Sequence, residues 1–279
     1  MAGIATRDPG LGTIEATLNY LLDTGETPWT FTGGPGSTER RSSWECAPRK
    51  MDIHDGRPLA DRFSLEREGF RFIRHDTRVV DFHDQEEVRS VYYPEMEELV
   101  KAQSGATRVL VFDHTLRTAD EADQEARKLR EPVLRVHNDY TEWSGPQRVR
   151  DLVPDEAEKL LQLRFAILQV WRPIRRPVET APLAICDAST MATEDFVVAE
   201  RRYPNRVGQV YAVRFNPGHR WYWFPKMRRE EALVFKVYDS LRDGRARWTA
   251  HTAFDDPTAP HNALPRESIE IRTLAFFAP

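Results

Sequence analysis

Gln209-Val-Tyr-Ala-Val-Arg-Phe-Asn-Pro-Gly-His-Arg-Trp-Tyr-Trp-Phe224 holds two β-type runs, 209–215 and 221–224, with Asn, Pro and Gly between them. Branched and aromatic side chains fit a pleated sheet surface, and Pro-Gly interrupts it. The same rhythm extends to both sides. Runs at 166–171, 182–186, 196–201, 232–238, 247–253 and 268–277 are short and are parted by Pro, Gly, Asn or Asp. Many short strands at such spacing predict an antiparallel sandwich or barrel. Upstream, Arg108-Val-Leu-Val-Phe-Asp113 and Val133-Leu-Arg-Val-His137 read as strands. Stretches 86–102 and 155–163 read as helices, the second opened by Pro154-Asp155. Residues 13–22 fit a short helix or a strand. Residues 118–130 are charged throughout and predict an exposed excursion. Residues 1–60 read as a loose N-terminal region, with a turn or loop at Thr32-Gly-Gly-Pro-Gly-Ser-Thr38. The whole chain, 1–279, reads as one α+β, mainly β domain with helices flanking the sheet.

A chain of 279 residues can bury a sizeable core. The net charge of −4 carries no basic excess for nucleic acid. Cys46 and Cys186 lie far apart and form neither a disulfide framework nor a thiolate metal site, which predicts a reducing cytoplasm. Met1-Ala-Gly-Ile-Ala-Thr-Arg-Asp8 lacks the apolar stretch of a signal peptide. No apolar run approaches the roughly 20 residues of a membrane span. The expected partner is a small molecule, not nucleic acid or a membrane; a homodimer or a partner protein stays open. Seven Trp and fourteen Phe suit an aromatic-lined space or a packed core equally.

Three short pieces carry chemistry in one order: His137-Asn-Asp139, then His251, then Arg266-Glu-Ser268. Two His and one carboxylate can occupy one face of an Fe(II) ion and leave the other open. Positions i and i+2 of a strand share a face, so His137 and Asp139 can reach one metal. With eight His, and 44 acidic residues in 279, a lone His-x-acid match is expected by chance. The bland reading of His137 is a strand-end histidine beside an Asp cap. In a double-stranded β-helix the final two strands would be neighbours, which would let His251 and Arg266 face one cavity. The planar fork of Arg binds a carboxylate bidentately, and Ser268 points the same way with a hydroxyl donor. So do Glu270 and Arg272. Arg272 is thus a second candidate for an acid co-substrate, or else it neutralises Glu270. His219 and His114 are alternative cavity residues, each with a plain structural reading; His251 is preferred for its place before the Arg strand.

The stretches Phe112-Asp-His-Thr-Leu-Arg117, Val136-His-Asn-Asp-Tyr140, Val170-Trp-Arg-Pro173, Pro182-Leu-Ala-Ile-Cys-Asp187, 216–225, Val234-Phe-Lys-Val-Tyr-Asp-Ser240, His251-Thr-Ala-Phe-Asp-Asp-Pro257 and Pro265-Arg-Glu-Ser-Ile-Glu-Ile-Arg272 go further. In this order the chain resembles the hydroxylase/desaturase family of secondary metabolism, the family of fungal gibberellin desaturase and cephamycin methoxylation proteins. The resemblance implies a non-haem Fe(II)/2-oxoglutarate-dependent oxygenase with a double-stranded β-helix (jelly-roll) core over 105–279. It implies O2-dependent hydroxylation, desaturation or a related oxidation of a small natural product, with 2-oxoglutarate decarboxylated to succinate. His137, Asp139 and His251 would hold Fe(II), and Arg266 and Ser268, with Arg272 as the alternative, the far carboxylate of 2-oxoglutarate. Gln169 stands where Asn is expected in relatives, so its contact with the keto acid is in question.

Expected pocket walls are Trp171, Arg172, Tyr211, Trp221, Trp223 and Phe254, with His219 and His114 as substrate-side residues and Tyr140 and Trp143 as a lid. Two rival readings remain at this point. One is a cupin-like metal-dependent oxygenase without 2-oxoglutarate, in which Arg266 braces the barrel. The other is a non-catalytic β-sandwich that binds a small ligand on its aromatic strands.

Overall fold

The computed structural model describes residues 11–34, 37, 39–127 and 129–278. Its strands are β1 (Thr13–Leu21), β2 (Trp29–Thr32), β3 (Arg40–Ser42), β4 (Cys46–Asp55), β5 (Phe70–Arg74), β6 (Arg108–Thr118), β7 (His137–Asn138), β8 (Phe165–Pro173), β9 (Leu183–Cys186), β10 (Phe196–Tyr203), β11 (Arg206–Val213), β12 (Trp221–Trp223), β13 (Glu231–Asp239), β14 (His251–Ala253) and β15 (Glu267–Phe276). They form two sheets. The larger has the order β1-β4-β12-β9-β14-β7-β11-β10-β2-β3 and the smaller β5-β13-β8-β15-β6. Pairing is antiparallel except at β10–β2 and β12–β4. This is the expected mainly β, jelly-roll type of architecture.

Alternation along the strands makes three apolar layers. Between the sheets, Phe165, Ile167, Leu233, Phe235 and Leu274 meet Leu183, Ile185 and Tyr222. On the outer face of the smaller sheet, Met96, Leu99 and Val100 of the helix Tyr93–Ser104 cover Leu168, Val170, Ile269 and Ile271. That helix stops where Gly105 takes φ +77°, a left-handed cap that a side chain would disfavour. On the outer face of the larger sheet, Leu18, Tyr20, Met51 and Ile53 of β1 and β4 cover Cys186, Trp221, Trp223 and Phe254. Bridges from Asn19 to Arg135 and from Leu21 to Arg214 hold β1 back over that face. With both faces covered, β8 is buried along its whole length, which is why it reads as an almost unbroken apolar run.

Several expectations change. The N-terminal region is not loose over its described part: β1 and β4 pair over nine residues and seal one side of the core. Cys46-Ala-Pro-Arg-Lys-Met-Asp-Ile-His-Asp55 shows little apolar alternation because the exposed run Pro48-Arg49-Lys50 interrupts it, so pairing with β1 supplies what its own pattern lacks. The strand expected at 133–137 contracts to His137–Asn138, the part that finds partners. The helix at 155–163 shrinks to Ala157–Leu160, and helices Ser144–Leu152 and Glu121–Arg127 appear where none was expected. Residues 1–10, and 35, 36 and 38 of the Gly-rich loop, lie outside the described residues. Finally, the last two strands are not neighbours. Strand β14 sits in the larger sheet between β9 and β7, and β15 in the smaller between β8 and β6. They face each other across the sandwich. Among the described residues no helix is long and apolar enough to cross a membrane.

Candidate metal centre

Strands β7 and β14 are hydrogen-bonded neighbours with His137 directly opposite His251. Directly opposed residues of an antiparallel pair share a face. Both imidazoles therefore point into the sandwich, with ring centroids 4.4 Å apart. The strand ends at Asn138, and the next residue brings Asp139 to the same place. One ligand atom from each of His137, Asp139 and His251 lies within 4.8 Å of the others. The wiring of the rings matters as much. His137 Nδ1 donates to the Arg135 carbonyl at 2.7 Å and His251 Nδ1 to the Thr249 carbonyl at 3.1 Å. A carbonyl only accepts, so the proton sits on Nδ1 and the Nε2 lone pair is left for a metal. His251 Nε2 is buried without a partner. Burial, together with the facing His251, pushes His137 down to about 4, which keeps its imidazole neutral and ligating.

Asn138, between the two ligands, joins the segments. Its Oδ1 accepts from Thr249 N at 3.2 Å, and its Nδ2 donates to the carbonyls of Tyr140 at 2.7 Å and Val237 at 3.0 Å. Thr249 is in turn pinned to Gly69, whose φ of +85° and close approach leave no room for a Cβ beside Thr249 Oγ1. Sequence reasoning singled out the flanking residues and missed Asn138. The available signal was an amide between two ligands, where a solvated turn would not need one.

The opposite wall comes from β8, β15 and β6. Ser268, Glu270 and Arg272 alternate inward along β15, as the spacing predicted, while Ile269 and Ile271 face the helix. Gln169 Nε2 and the Arg272 guanidinium both reach Asp139 Oδ2. Burial works against the Asp139 charge, but the Arg272 guanidinium holds its carboxyl well below the usual carboxylate range. Arg272 is also paired with Glu270, with Asp113 at 3.2 Å and with Thr115 Oγ1 at 3.0 Å. Glu270, though buried, is likewise kept below the carboxylate range by Arg272.

Arg266 contrasts with Arg272. It is 3% exposed, hydrogen-bonds the Ala181 carbonyl and lies with its guanidinium 5.4 Å from the Trp171 ring centroid. Its Nε has no partner, and neither has the buried Ser268 Oγ two residues on. No carboxylate among the described residues pairs with it. Burial, with the charge of Arg117 nearby, pulls it down to about 9. A buried cation beside an unpartnered hydroxyl is a place for an anion to bind. Arg117, opposite Ser268 on β6, adds positive charge there and was also missed from sequence.

The structure does not bring every expected residue to this cavity. Trp171 lies on the inner face under Arg266, and Tyr140 follows the ligand turn with its hydroxyl 3.2 Å from Arg148 Nε. Arg172, one residue from Trp171, points outward; it meets the His75 carbonyl and lies 5.8 Å from the Tyr92 ring centroid under the helix. His114 pairs with Tyr93 on that same outer side. Trp221, Trp223 and Phe254 belong to the layer under β1 and β4, and His219 is bonded there to Tyr20. Strand parity turns Arg172 outward, since it follows an inward Trp171, whereas His219 and Phe254 lie in connections outside the strands. Tyr211 packs against Phe196 and Trp248, and its hydroxyl accepts from Glu142 N. Trp143 is half exposed.

Comparison with known proteins agrees with this geometry. Residues 18–276 match a family model described as an oxidoreductase/YMDC permease-like domain. The chain is 34% identical, over 77% of its length and 80% of the relative's, to the alpha-ketoglutarate-dependent dioxygenase phiK of Fungal sp.. It is 32% identical, over 90% of its length and 91% of the relative's, to the Fe(II)/2-oxoglutarate-dependent dioxygenase nvfI of Aspergillus novofumigatus. It is 32% identical, over 95% of both chains, to the hydroxylase/desaturase efuI of Hormonema carpetanum. A solved structure of the iron and alpha-ketoglutarate-dependent endoperoxidase NvfI superposes with a TM-score of 0.85 at 29% identity, covering 96% of this chain and 99% of that one.

Proposed function

This chain belongs to the hydroxylase/desaturase family of Fe(II)/2-oxoglutarate-dependent dioxygenases, and from that premise we propose that His137, Asp139 and His251 hold its iron while Arg266 and Ser268 hold the far carboxylate of 2-oxoglutarate. It is an oxidoreductase that uses Fe(II), 2-oxoglutarate and O2. The observation that carries the residue assignment is a pairing of two deficits. Three ligand atoms converge within 4.8 Å with an imidazole nitrogen left over, and a buried guanidinium on the opposite sheet lacks an anion.

The oxidising chemistry, O2-dependent decarboxylation of 2-oxoglutarate to succinate coupled to substrate oxidation, is supplied by the metal and co-substrate when bound. The chain's own residues orient and shield. Arg135 and Thr249 carbonyls set the two imidazoles in the ligating tautomer. Arg266 offers its fork to a carboxylate, with Trp171 fixing the guanidinium plane and Ser268 adding a hydroxyl donor. Phe235, with its ring 4.9 Å from that of His251, keeps water from the far side of the ligands. A small natural product is the proposed substrate, entering beside Tyr140 and the partly exposed Trp143, to be hydroxylated or desaturated. Unpaired Cys46 and Cys186 accord with the cytoplasm as the setting.

The test is an anaerobic titration with Fe(II), then 2-oxoglutarate, following the weak visible charge-transfer band of a chelated keto acid. Wild type gives the band. His137→Ala loses it. Arg266→Ala binds iron and needs about 10–100-fold more keto acid, the loss of a charge-assisted contact. A wild-type protein that binds iron without a band would refute the role of Arg266, and one that binds no iron would refute the ligand assignment.

A further inference from the structure

The two oxygens of Asp139 have different surroundings. Oδ2 accepts from Gln169 Nε2 at 2.5 Å and faces the Arg272 guanidinium, two of whose nitrogens lie 3.5 Å away. Oδ1 faces His137 Nε2 at 3.7 Å. Arg272 is held in turn by Glu270, by Thr115 Oγ1 at 3.0 Å and by Asp113 at 3.2 Å. Gln169 and Arg272 stand directly opposite each other on β8 and β15, so the two donors reach Asp139 as a unit. All of these groups belong to the smaller sheet, whereas His137 and His251 belong to the larger.

Resting on the metal assignment above, we propose that Gln169 and Arg272 are positioning residues which occupy Asp139 Oδ2 and turn Oδ1 alone toward the iron. A carboxylate with both oxygens free can chelate a metal through both. In an octahedral site that would take one of the three positions that a facial triad must leave for the keto acid and O2. A donor pair fixed to Oδ2 removes that option. It also orients the ligand, the role that groups behind metal ligands commonly play. The two arginines, Arg266 just before β15 and Arg272 within it, then have different roles. Arg272 is ion-paired with Glu270, Asp113 and Asp139, while Arg266 pairs with no carboxylate among the described residues and is left to bind the keto acid. The amide of Gln169 likewise serves Asp139 rather than the co-substrate. Glu270 keeps the guanidinium from swinging toward the keto acid.

Four variants of the full-length protein test this: Arg272→Gln, Arg272→Lys, Gln169→Leu and, as the contrast, Arg266→Gln. Two quantities are read separately: the Kd for Fe(II) by anaerobic calorimetry, and the half-saturating 2-oxoglutarate and band position at saturating iron. Arg272→Gln and Gln169→Leu are expected to weaken iron binding by about 10–100-fold and to shift the band. Once iron is saturating, their keto-acid requirement stays near the wild-type value. Arg272→Lys recovers part of the iron affinity because an ammonium can still reach Oδ2. Arg266→Gln shows the reverse pattern, with normal iron binding and a raised keto-acid requirement. If Arg272→Gln binds iron normally and instead needs the extra keto acid, the proposal is overturned. Should Arg272→Gln fail to fold, Gln169→Leu decides, since it removes no charge; wild-type behaviour in both readouts then overturns the proposal. A wild-type protein that binds no iron would sink the metal assignment itself, an outcome distinct from any change confined to the variants.

Discussion

Two buried histidine–carboxylate groups lie on opposite sides of the larger sheet, and their imidazoles are wired in opposite senses. Under β1, His219 Nε2 donates to Asp195 at 3.0 Å, while its Nδ1 accepts from Tyr20, whose oxygen accepts in turn from Trp221 Nε1 at 2.7 Å. Every polar atom of that chain is used. Between the sheets, His137 and His251 spend Nδ1 on backbone carbonyls and leave Nε2 without a protein donor or acceptor in hydrogen-bond range. Proximity of a histidine to a carboxylate is therefore no sign of function by itself. What distinguishes the working group is the atom left over after the protein's own hydrogen bonds are made.

The largest effect that could break this comparison comes from exchanging the two losses. His251→Ala is expected to abolish Fe(II) binding in calorimetry. His219→Ala is expected to leave iron and keto-acid binding intact and to lower stability in urea by about 3 kcal/mol, since Asp195 and Tyr20 lose a buried partner. Loss of iron binding in His219→Ala would make the two groups one system and defeat the distinction. A smaller effect sharpens it. Asn138→Leu removes the tie between the ligand-bearing segments, and iron affinity should fall about tenfold, as for other groups that orient ligands; an unchanged Kd would mean that β7 and β14 are held in place by their pairing alone.

The smallest effect is in pH. Burial lowers the His219 pKa, partly offset by its bond to Asp195. Its folded value thus lies below the unfolded one of about 6.5, and the unfolded chain takes up the proton first. The stability this contributes is present above the unfolded pKa and is lost as pH falls toward the folded one. In metal-free protein the urea midpoint should drop between pH 7.5 and 5, and His219→Gln should make that drop smaller, His137 supplying part of the rest. An equal slope in both proteins would remove His219 as its source.

The elements that could be read from the chain are those whose own residues carry both the period and its interruption. Strands β8, β13 and β15 are bracketed by turn residues and differ from expectation by one or two residues at their ends. The candidate cluster was legible for a similar local reason: the spacing puts His137 and Asp139 within reach of one point, and it puts Ser268, Glu270 and Arg272 on one face. Strand β4 was not legible, because the exposed run Pro48-Arg49-Lys50 breaks its alternation and its strand character comes from pairing with β1. Helix Ser144–Leu152 was missed because Gly145 and Pro146 weaken its propensity, and packing of Val149 into the core overrides that. The expected adjacency of the last two strands does not hold: β14 and β15 lie in opposite sheets, so His251 and Arg266 are brought near one another across the core and not along one sheet.

The mainly β class, the order of the His-x-Asp, His and Arg motifs and, with them, the family can be read from the residues alone. These depend on local spacing and residue type, which a linear chain displays. Only the tertiary structure decided which face each strand turns inward, and so removed Arg172, His114, His219, Trp221 and Phe254 from the cavity. It alone distinguished Arg272, paired with three acids, from Arg266, which pairs with none among the described residues. The physical reason is common to both: the charge and hydrogen-bonding state of a buried group is set by partners distant in sequence, and no local pattern encodes which of them will be left unpaired.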